Sequence, residues 1–135
     1  MDCPLCQNPM IVLELEQVEI DHCTDCGGIW LDSGELEQLF ADFAQAQALV
    51  SSFKQTDVKE KIRPCPVCLK KMHKVLIADK NAPVIIDRCP KNHGLWFDKG
   101  ELSQVLEKGS LDKERKVIKL LSEIFSNKNE AKNGD

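Results

Sequence analysis

Seven cysteines and one histidine form four pairs of potential metal ligands in this chain of 135 residues. The pairs use every cysteine and are Cys3/Cys6, Cys23/Cys26, Cys65/Cys68 and Cys89/His93. Two ligands on one tight turn can bind an ion, and a second pair completes the tetrahedron that Zn²⁺ prefers. The eight ligands therefore predict two zinc ions per chain. Iron is the smaller alternative, because tetrahedral sulfur also suits iron.

The spacing of the pairs indicates an internal duplication. Cys65 lies 62 residues after Cys3, and Cys89 lies 66 residues after Cys23. Behind the second pair, residues 28–36 and 94–102 are identical at six of nine positions. Each copy is therefore expected to close its own site: Cys3, Cys6, Cys23 and Cys26 in the first copy (residues 3–36), and Cys65, Cys68, Cys89 and His93 in the second copy (residues 65–102).

Both copies resemble the small bacterial and archaeal proteins that carry a zinc ribbon of the transcription factor IIB type. The motif is C-P-x-C, then D-x-C, then G-x-W-x-D-x-G-E-L, and it occurs in each copy. The resemblance implies a zinc-ribbon fold and metal binding, whereas the link to transcription is an analogy of fold. His93 departs from the four-cysteine pattern and looks like a ligand variant.

The predicted fold class is small, metal-stabilised α+β. We expect two tandem zinc ribbons, each a β-hairpin followed by an α-helix, and a further C-terminal helix. Short β-prone segments that would form the hairpins lie at residues 10–16, 18–21, 71–78 and 84–88. The predicted organisation is a first ribbon at 1–36, a helix and linker at 37–62, a second ribbon at 63–102, a helical extension at 103–126 and a disordered tail at 127–135.

The segment W-x-D-x-G-E-L predicts a tryptophan packed over the metal turn and a capped helix start. Asp32 precedes Glu35 by three residues, and Asp98 precedes Glu101 in the same way. This spacing is typical of a capping box, in which the first residue caps the helix and the glutamate caps back. His22 and His73, beside the ligand pairs, are expected to be exposed residues and not ligands.

A long first helix is predicted to run from the end of the first ribbon to about Phe53. Apolar residues recur there at steps of three and four: Leu36, Leu39, Phe43, Ala46, Val50 and Phe53. The stripe is expected to pack within the chain, and a homodimer seam over Leu36–Phe53 is the alternative. In the second copy, Gly109 should end the helix and Ser110 should start another, with an apolar face that includes Val117 and Leu121.

Charge is distributed unevenly. Residues 1–53 contain ten acidic residues and no Lys or Arg, whereas residues 54–135 contain all 18 basic and 12 acidic residues, for formal charges of −10 and +6. An acidic first ribbon would be repelled by phosphates. Nucleic acid could still bind the second ribbon through its basic residues, which are Lys70, Lys71, Lys74, Lys80, Arg88 and Lys91. A solvated basic face, or attraction between the two halves, is the preferred explanation.

The chain is expected to act as a binding or adaptor module and not as an enzyme. Its expected partner is an unidentified protein. A structural zinc has four protein ligands, whereas a catalytic zinc keeps one position open. No segment approaches the roughly 20 apolar residues of a membrane span, and the start has no secretion signal, so a cytoplasmic location is predicted. The alternative from another class is a thiol-based redox or zinc-responsive regulator.

Overall fold

The computed structural model of the chain describes residues 1–40, 42–56, 62–77, 83–107 and 116–124. Its strands are β1 (Ile11–Leu15), β2 (Val18–His22), β3 (Ile29–Asp32), β4 (Lys54–Gln55), β5 (His73–Ile77), β6 (Val84–Arg88) and β7 (Gly94–Phe97). Its helices are α1 (Glu35–Gln38), α2 (Phe43–Ser51), α3 (Glu101–Leu106) and α4 (residues 116–124). The predicted hairpins are present as β1–β2 and β5–β6, and the α+β fold class is confirmed.

The two copies share one antiparallel sheet. Its seven strands have the order β1-β2-β3-β7-β6-β5-β4, so β3 of the first copy pairs with β7 of the second. In this pairing Trp30 lies opposite Trp96. Because these two residues occupy equivalent positions in the duplication, the copies are related by a pseudo-twofold axis through the tryptophan pair.

Strands β3 and β7 were missed in the sequence analysis, which took these segments for a metal turn and a helix start. Both are short runs of large apolar residues without the alternation that marks a half-buried strand. Strand β3 begins directly after Gly28, and β7 begins at Gly94, the equivalent glycine of the repeated motif. A glycine beside a short β-prone run often marks the close approach of another backbone, and that signal could have revealed the pairing.

The central strands bury both of their faces. Leu31 and Phe97 belong to a core that is shared with the helices, whereas Trp30 and Trp96 belong to a second cluster that contains the cysteines. Neighbouring residues of a strand point to opposite sides, so one face of the sheet supports the helices and the other supports the ligands.

The predicted long helix is divided into α1 and α2. Asp42 interrupts it, because its side chain accepts a hydrogen bond from the backbone N–H of Gln45 at 3.1 Å and caps a new helix. The break allows Leu39 and Phe40 to be buried together, although only Leu39 lies on the predicted stripe. The homodimer seam remains a prediction, but Leu36 of that stripe is buried in the core of its own chain.

The predicted apolar face of the last helix is present in α4. Val117 and Leu121 are buried in the shared core, and Ile118, Leu120 and Ile124 pack against it. The predicted helix boundary at Gly109 and Ser110 and the tail at 127–135 lie outside the described residues. Within the described ranges, no helix has the length and apolar character that a bilayer span requires.

Candidate metal centres

The structure brings together all eight candidate ligands in the two groups that the duplication predicts. The donor atoms of Cys3, Cys6, Cys23 and Cys26 lie within 4.8 Å of one another, and so do those of Cys65, Cys68, Cys89 and His93. The hairpin of each copy therefore carries both halves of its own site.

The distances between donor atoms suit a tetrahedral zinc ion. Sγ of Cys3 lies 3.6 Å from Sγ of Cys26, and Sγ of Cys68 lies 3.6 Å from Sγ of Cys89. Zn–S bonds of about 2.3 Å at a tetrahedral angle separate two sulfurs by about 3.8 Å. Nδ1 of His93 lies 3.3 Å from Sγ of Cys89, so the imidazole spans the one-residue difference from the C-x-x-C spacing. Both groups fit zinc, and two zinc ions per chain are thus supported.

Backbone N–H groups point at the leading cysteine of several pairs. Sγ of Cys3 accepts hydrogen bonds from the N–H of Leu5 and of Cys6, both at 3.3 Å. In the second copy the N–H of Val67 donates to Cys65 at 3.4 Å, and the N–H of Lys91 donates to Cys89 at 3.3 Å. Such hydrogen bonds favour the thiolate, which is the form that binds a metal.

The thiol pKa values show why the sites need a cation. Burial raises the pKa of Cys65 to about 11, although the backbone N–H groups of Cys68 and Val67 oppose the rise. At Cys89 burial acts in the same direction, but hydrogen bonds from the backbone of His93 and Lys91 and from the thiols of Cys65 and Cys68 together lower the pKa. A zinc ion supplies the positive charge that ionises the remaining thiols, so binding would release protons.

A reciprocal contact joins the two copies between their sites. A Cβ atom on Gly28 would lie 2.1 Å from Cζ2 of Trp96, and one on Gly94 would lie 2.7 Å from Cζ2 of Trp30. Each tryptophan ring therefore lies on the glycine of the other copy, where a side chain larger than hydrogen does not fit. Both rings are fully buried beside the cysteines, as predicted for a tryptophan over the metal turn.

The same tryptophans connect the ligands to the helix starts. Nε1 of Trp30 donates to Oδ1 of Asp32 at 2.9 Å, and Trp96 donates to Asp98 at 3.1 Å. The backbone N–H of Asp32 donates in turn to Oε1 of Glu35 at 2.7 Å, with the same arrangement in the second copy. The glutamates therefore cap back as predicted.

The prediction that each aspartate caps a helix is wrong. Gly34 and Gly100 occupy the N-cap positions with φ of 90° and 87°, and neither helix has a side-chain cap. The carboxylates of Asp32 and Asp98 are used by the indole N–H groups, which would otherwise be buried without an acceptor. Only glycine adopts such a positive φ without strain, which explains its place in the motif.

A family model described as a transcription factor zinc-finger matches the chain twice, at residues 2–42 and 64–108, and these ranges together cover more than half of it. The chain belongs to this family of zinc ribbons of the transcription factor IIB type. The predicted resemblance, including its two tandem copies, is confirmed. The chain matches no curated protein and no solved structure.

Each zinc ribbon of this pair is braced by the other. The N–H of Ser33, in the first copy, donates to the carbonyl of the candidate ligand His93 at 2.9 Å. At the equivalent place across the axis, a Cβ on Gly27 would lie 2.9 Å from Cγ of Lys99. The turns that carry the last ligand of each site are thus in contact with the opposite copy.

The two histidines beside the ligands differ. His73 is exposed, as predicted, but His22 is 2% exposed, so that part of the prediction is wrong. Nδ1 of His22 lies 3.1 Å from the carbonyl oxygen of Gly28, which gives the buried ring a polar partner. Neither histidine belongs to a ligand group.

Ion pairs bury a carboxylate in the second copy. Asp87 is 2% exposed, and its Oδ1 lies 2.6 Å from Nζ of Lys74, which is 7% exposed. The guanidinium of Arg63 lies 3.7 Å from the other oxygen of Asp87 and also pairs with Asp98. Burial raises the pKa of Asp87, and the charges of Lys74 and Arg63 oppose that rise. This network was missed because it depends on burial that the sequence does not show.

Proposed function

We propose that the chain is an adaptor module whose two zinc ions are structural and whose ligand is another protein. The observation that carries this proposal is the closure of both sites. Each group offers four protein donor atoms within 4.8 Å of one another, which fills the coordination shell that a structural zinc prefers. In such a site zinc holds the chain in shape and leaves the binding to the surface.

The surface charges favour a protein over nucleic acid. Of the six basic residues that could contact phosphates, Lys74 is buried against Asp87, Arg88 is half-buried, and Lys80 lies outside the described residues. Lys70, Lys71 and Lys91 are exposed, but all three belong to the second copy. The acidic first copy in the same sheet opposes a phosphate backbone that would pass from one ribbon to the next.

Capture experiments test this proposal. The tagged chain is used to recover partners from its native cell, with and without nuclease treatment and across a salt series. We expect a partner that is retained after nuclease treatment and at moderate salt, since phosphate contacts weaken steeply with salt. The matched variant Lys70/Lys71/Lys91→Ala should retain the same partner. Sub-micromolar binding of mixed nucleic acid at physiological salt, lost in this variant, would instead make the chain a nucleic-acid-binding protein.

A zinc-responsive or redox regulator is the second candidate, and the partial exposure of both sites favours it. Cys6 and Cys26 of the first site and Cys68 and His93 of the second are partly exposed, so an oxidant or chelator can reach either site. If the chain is a regulator, mild oxidant should release one zinc ion and reductant should restore its binding. If the chain is an adaptor, it should retain both zinc ions, and no thiol should react until a chelator is added. Thiol titration and metal analysis on the same sample separate the two candidates.

A further inference from the structure

The first copy leaves a strand edge open where the second copy has it covered. Within the described residues β1 is the outer strand of the sheet, and its residues Ile11 and Val12 are 46% and 62% exposed. The equivalent strand of the second copy is β5, which pairs with β4. The N–H of Thr56, just after β4, also donates to the carbonyl of Lys74 at 2.9 Å. The duplication thus shows an extended segment bound at the position beside β1 where no described strand lies.

The same comparison shows that the first hairpin has no counterpart of Lys74. Val12 lies opposite Asp21 in the first hairpin, and Lys74 lies opposite Asp87 at the equivalent position of the second. In the second copy Arg63 also reaches the carboxylate of Asp98, the counterpart of Asp32.

The first copy has no basic side chain for this role, since residues 1–53 contain none, and the charge of the amino terminus is the positive charge that acts on Asp21. Within the described residues, neither Asp21 nor Asp32 forms an ion pair. In the second copy the cations come from β5 and from Arg63 and not from β4. A segment beside β1 would instead meet the acidic first copy, which favours Lys or Arg in that segment.

We propose that β1 binds an extended, basic segment of a protein partner, which adds to the sheet as an antiparallel strand and places Lys or Arg against the acidic side chains of the first hairpin, among them Asp21. Exposed edges commonly bind peptides in this way, with backbone hydrogen bonds supplying affinity and side chains supplying specificity. By equivalence with Lys74 and Leu76, the backbone groups of Val12 and Glu14 receive the added strand. This inference rests on the proposed function, because it names the partner's chemistry.

Charge argues against a second copy of β1 as the occupant. The strand carries Glu14, and Glu19 lies opposite it on β2, so two such edges would bring acidic side chains together. Native edges are usually protected from self-pairing by lysine, proline or coverage. Residues 11–15 contain neither lysine nor proline, which leaves this edge open to a strand of opposite charge.

A synthetic peptide tests the site on the full zinc-loaded chain. The probe is about ten residues long, alternates Val or Thr with Arg, and has blocked ends. Two matched peptides accompany it: one has Glu in place of Arg, and the other has alternate backbone amides methylated so that one edge cannot donate hydrogen bonds. We expect only the unmodified basic peptide to bind, and we expect slower hydrogen exchange at the amides of Val12 and Glu14.

Variants of Val12 separate the backbone contribution from the charge. Val12→Pro removes an edge N–H at a position where proline is tolerated, and should abolish binding. Val12→Lys copies Lys74 into the first copy and should weaken binding about tenfold by occupying Asp21. Val67→Lys adds the same charge at another exposed apolar residue and should leave binding unchanged. Retention of two zinc ions confirms that each variant is folded.

Three results would overturn this site. They are equal binding of the methylated peptide, equal binding of the Glu peptide, or an unchanged affinity in both Val12 variants. The adaptor function is judged separately, by capture of the cellular partner. If Val12→Pro captures that partner as well as the parent chain does, the adaptor stands and the β1 site is wrong. If the parent chain captures no partner but binds the probe at β1, the site stands and the adaptor is wrong.

Discussion

The two hairpins pair in the same register, and each has an aspartate two residues before a ligand. The surroundings of this aspartate differ between the two copies. Asp87 is 2% exposed, Lys74 lies 2.6 Å from one of its oxygens, and Arg63 lies 3.7 Å from the other. Asp21 is only half buried, and the residue opposite it is Val12. A carboxylate that loses its hydration on burial needs a neighbouring cation to remain ionised, whereas a hydrated carboxylate does not. The comparison therefore shows that burial, and not the motif, decides where the chain needs a basic residue.

The metal sites differ in a parallel way. Zinc with four thiolates carries a formal charge of −2, whereas zinc with three thiolates and a neutral imidazole carries −1. The first site is thus the more negative one in the half of the chain that has no Lys or Arg. The second site has fewer thiolates and a partly exposed histidine. Its zinc should be the easier one to remove.

Chelation should produce the largest effect and test this difference directly. Zinc binding in small domains contributes on the order of 10–16 kcal/mol per site, which is in effect folding free energy. We expect two zinc ions by elemental analysis, release from the second site first, and loss of both hairpins after complete removal. His93→Cys should reverse or abolish the order of release. A chain that keeps its strands by circular dichroism without metal would contradict the prediction.

Removal of the lysine beside Asp87 should have the next largest effect. Lys74→Met leaves a buried carboxylate without its partner and should lower the free energy of unfolding by about 3–5 kcal/mol. The double variant Lys74→Met/Asp87→Leu should recover most of that loss. Val12→Met, at the equivalent position of the first copy, should change stability by less than about 0.5 kcal/mol. Equal losses in the two copies, measured by denaturant unfolding, would show that burial does not distinguish the hairpins.

The contact between each tryptophan and the opposite glycine predicts a smaller effect in both copies. Gly28→Ala and Gly94→Ala each force a methyl group into an occupied space, which should cost about 1–3 kcal/mol. At Gly94 the methyl group would also lie 2.2 Å from the carbonyl oxygen of Leu31, so this variant should cost more than Gly28→Ala. Because the atoms that must move belong to the other copy, each variant should also speed zinc release from both sites. Gly34→Ala is the comparison, since a Cβ there meets no atom within 4 Å, so its cost comes from the positive φ alone and involves no contact with the other copy. Release from one site alone would mean that the copies are independent.

The smallest effect concerns the helix that follows the first copy. Asp42→Ala removes the side-chain cap of α2 and should lower stability by about 1 kcal/mol. Asp42→Asn should keep most of the cap and serves as the control. Zinc content should be unchanged in both variants, since Asp42 belongs to neither ligand group. Loss of metal in Asp42→Ala would place α2 among the supports of the site.

The ligand groups and hairpins could be predicted from sequence because they depend on local spacing. A pair such as Cys3 and Cys6 specifies its turn by itself, and the duplication specified which pairs belong together. The role of Asp32 could not be predicted in this way. Its spacing to Glu35 is that of a capping box, but the competing partner, the indole of Trp30, takes the carboxylate only when that ring is buried.

Contacts across the pseudo-twofold axis also could not be predicted from local sequence patterns. The pairing of Trp30 with Trp96 joins positions 66 residues apart, and no periodic pattern connects them. The break before α2 could be found in principle, because Asp42 is a strong N-cap residue, but the apolar stripe favoured a continuous helix. Long-range pairing and burial thus account for most of what the sequence analysis missed.

The axis through Trp30 and Trp96 also bears on how such a chain could arise. Its symmetry is that of a C2 homodimer, in which one surface patch meets its own copy. A single ribbon with this central strand would present the same edge and the same glycine, and could form the pair only by association of two molecules. Joining the copies in one chain converts that encounter into an intramolecular one, with an effective concentration in the millimolar range. The fusion removes the dependence of the fold on protein concentration, and it frees each copy to diverge, as His93 and Lys74 have done.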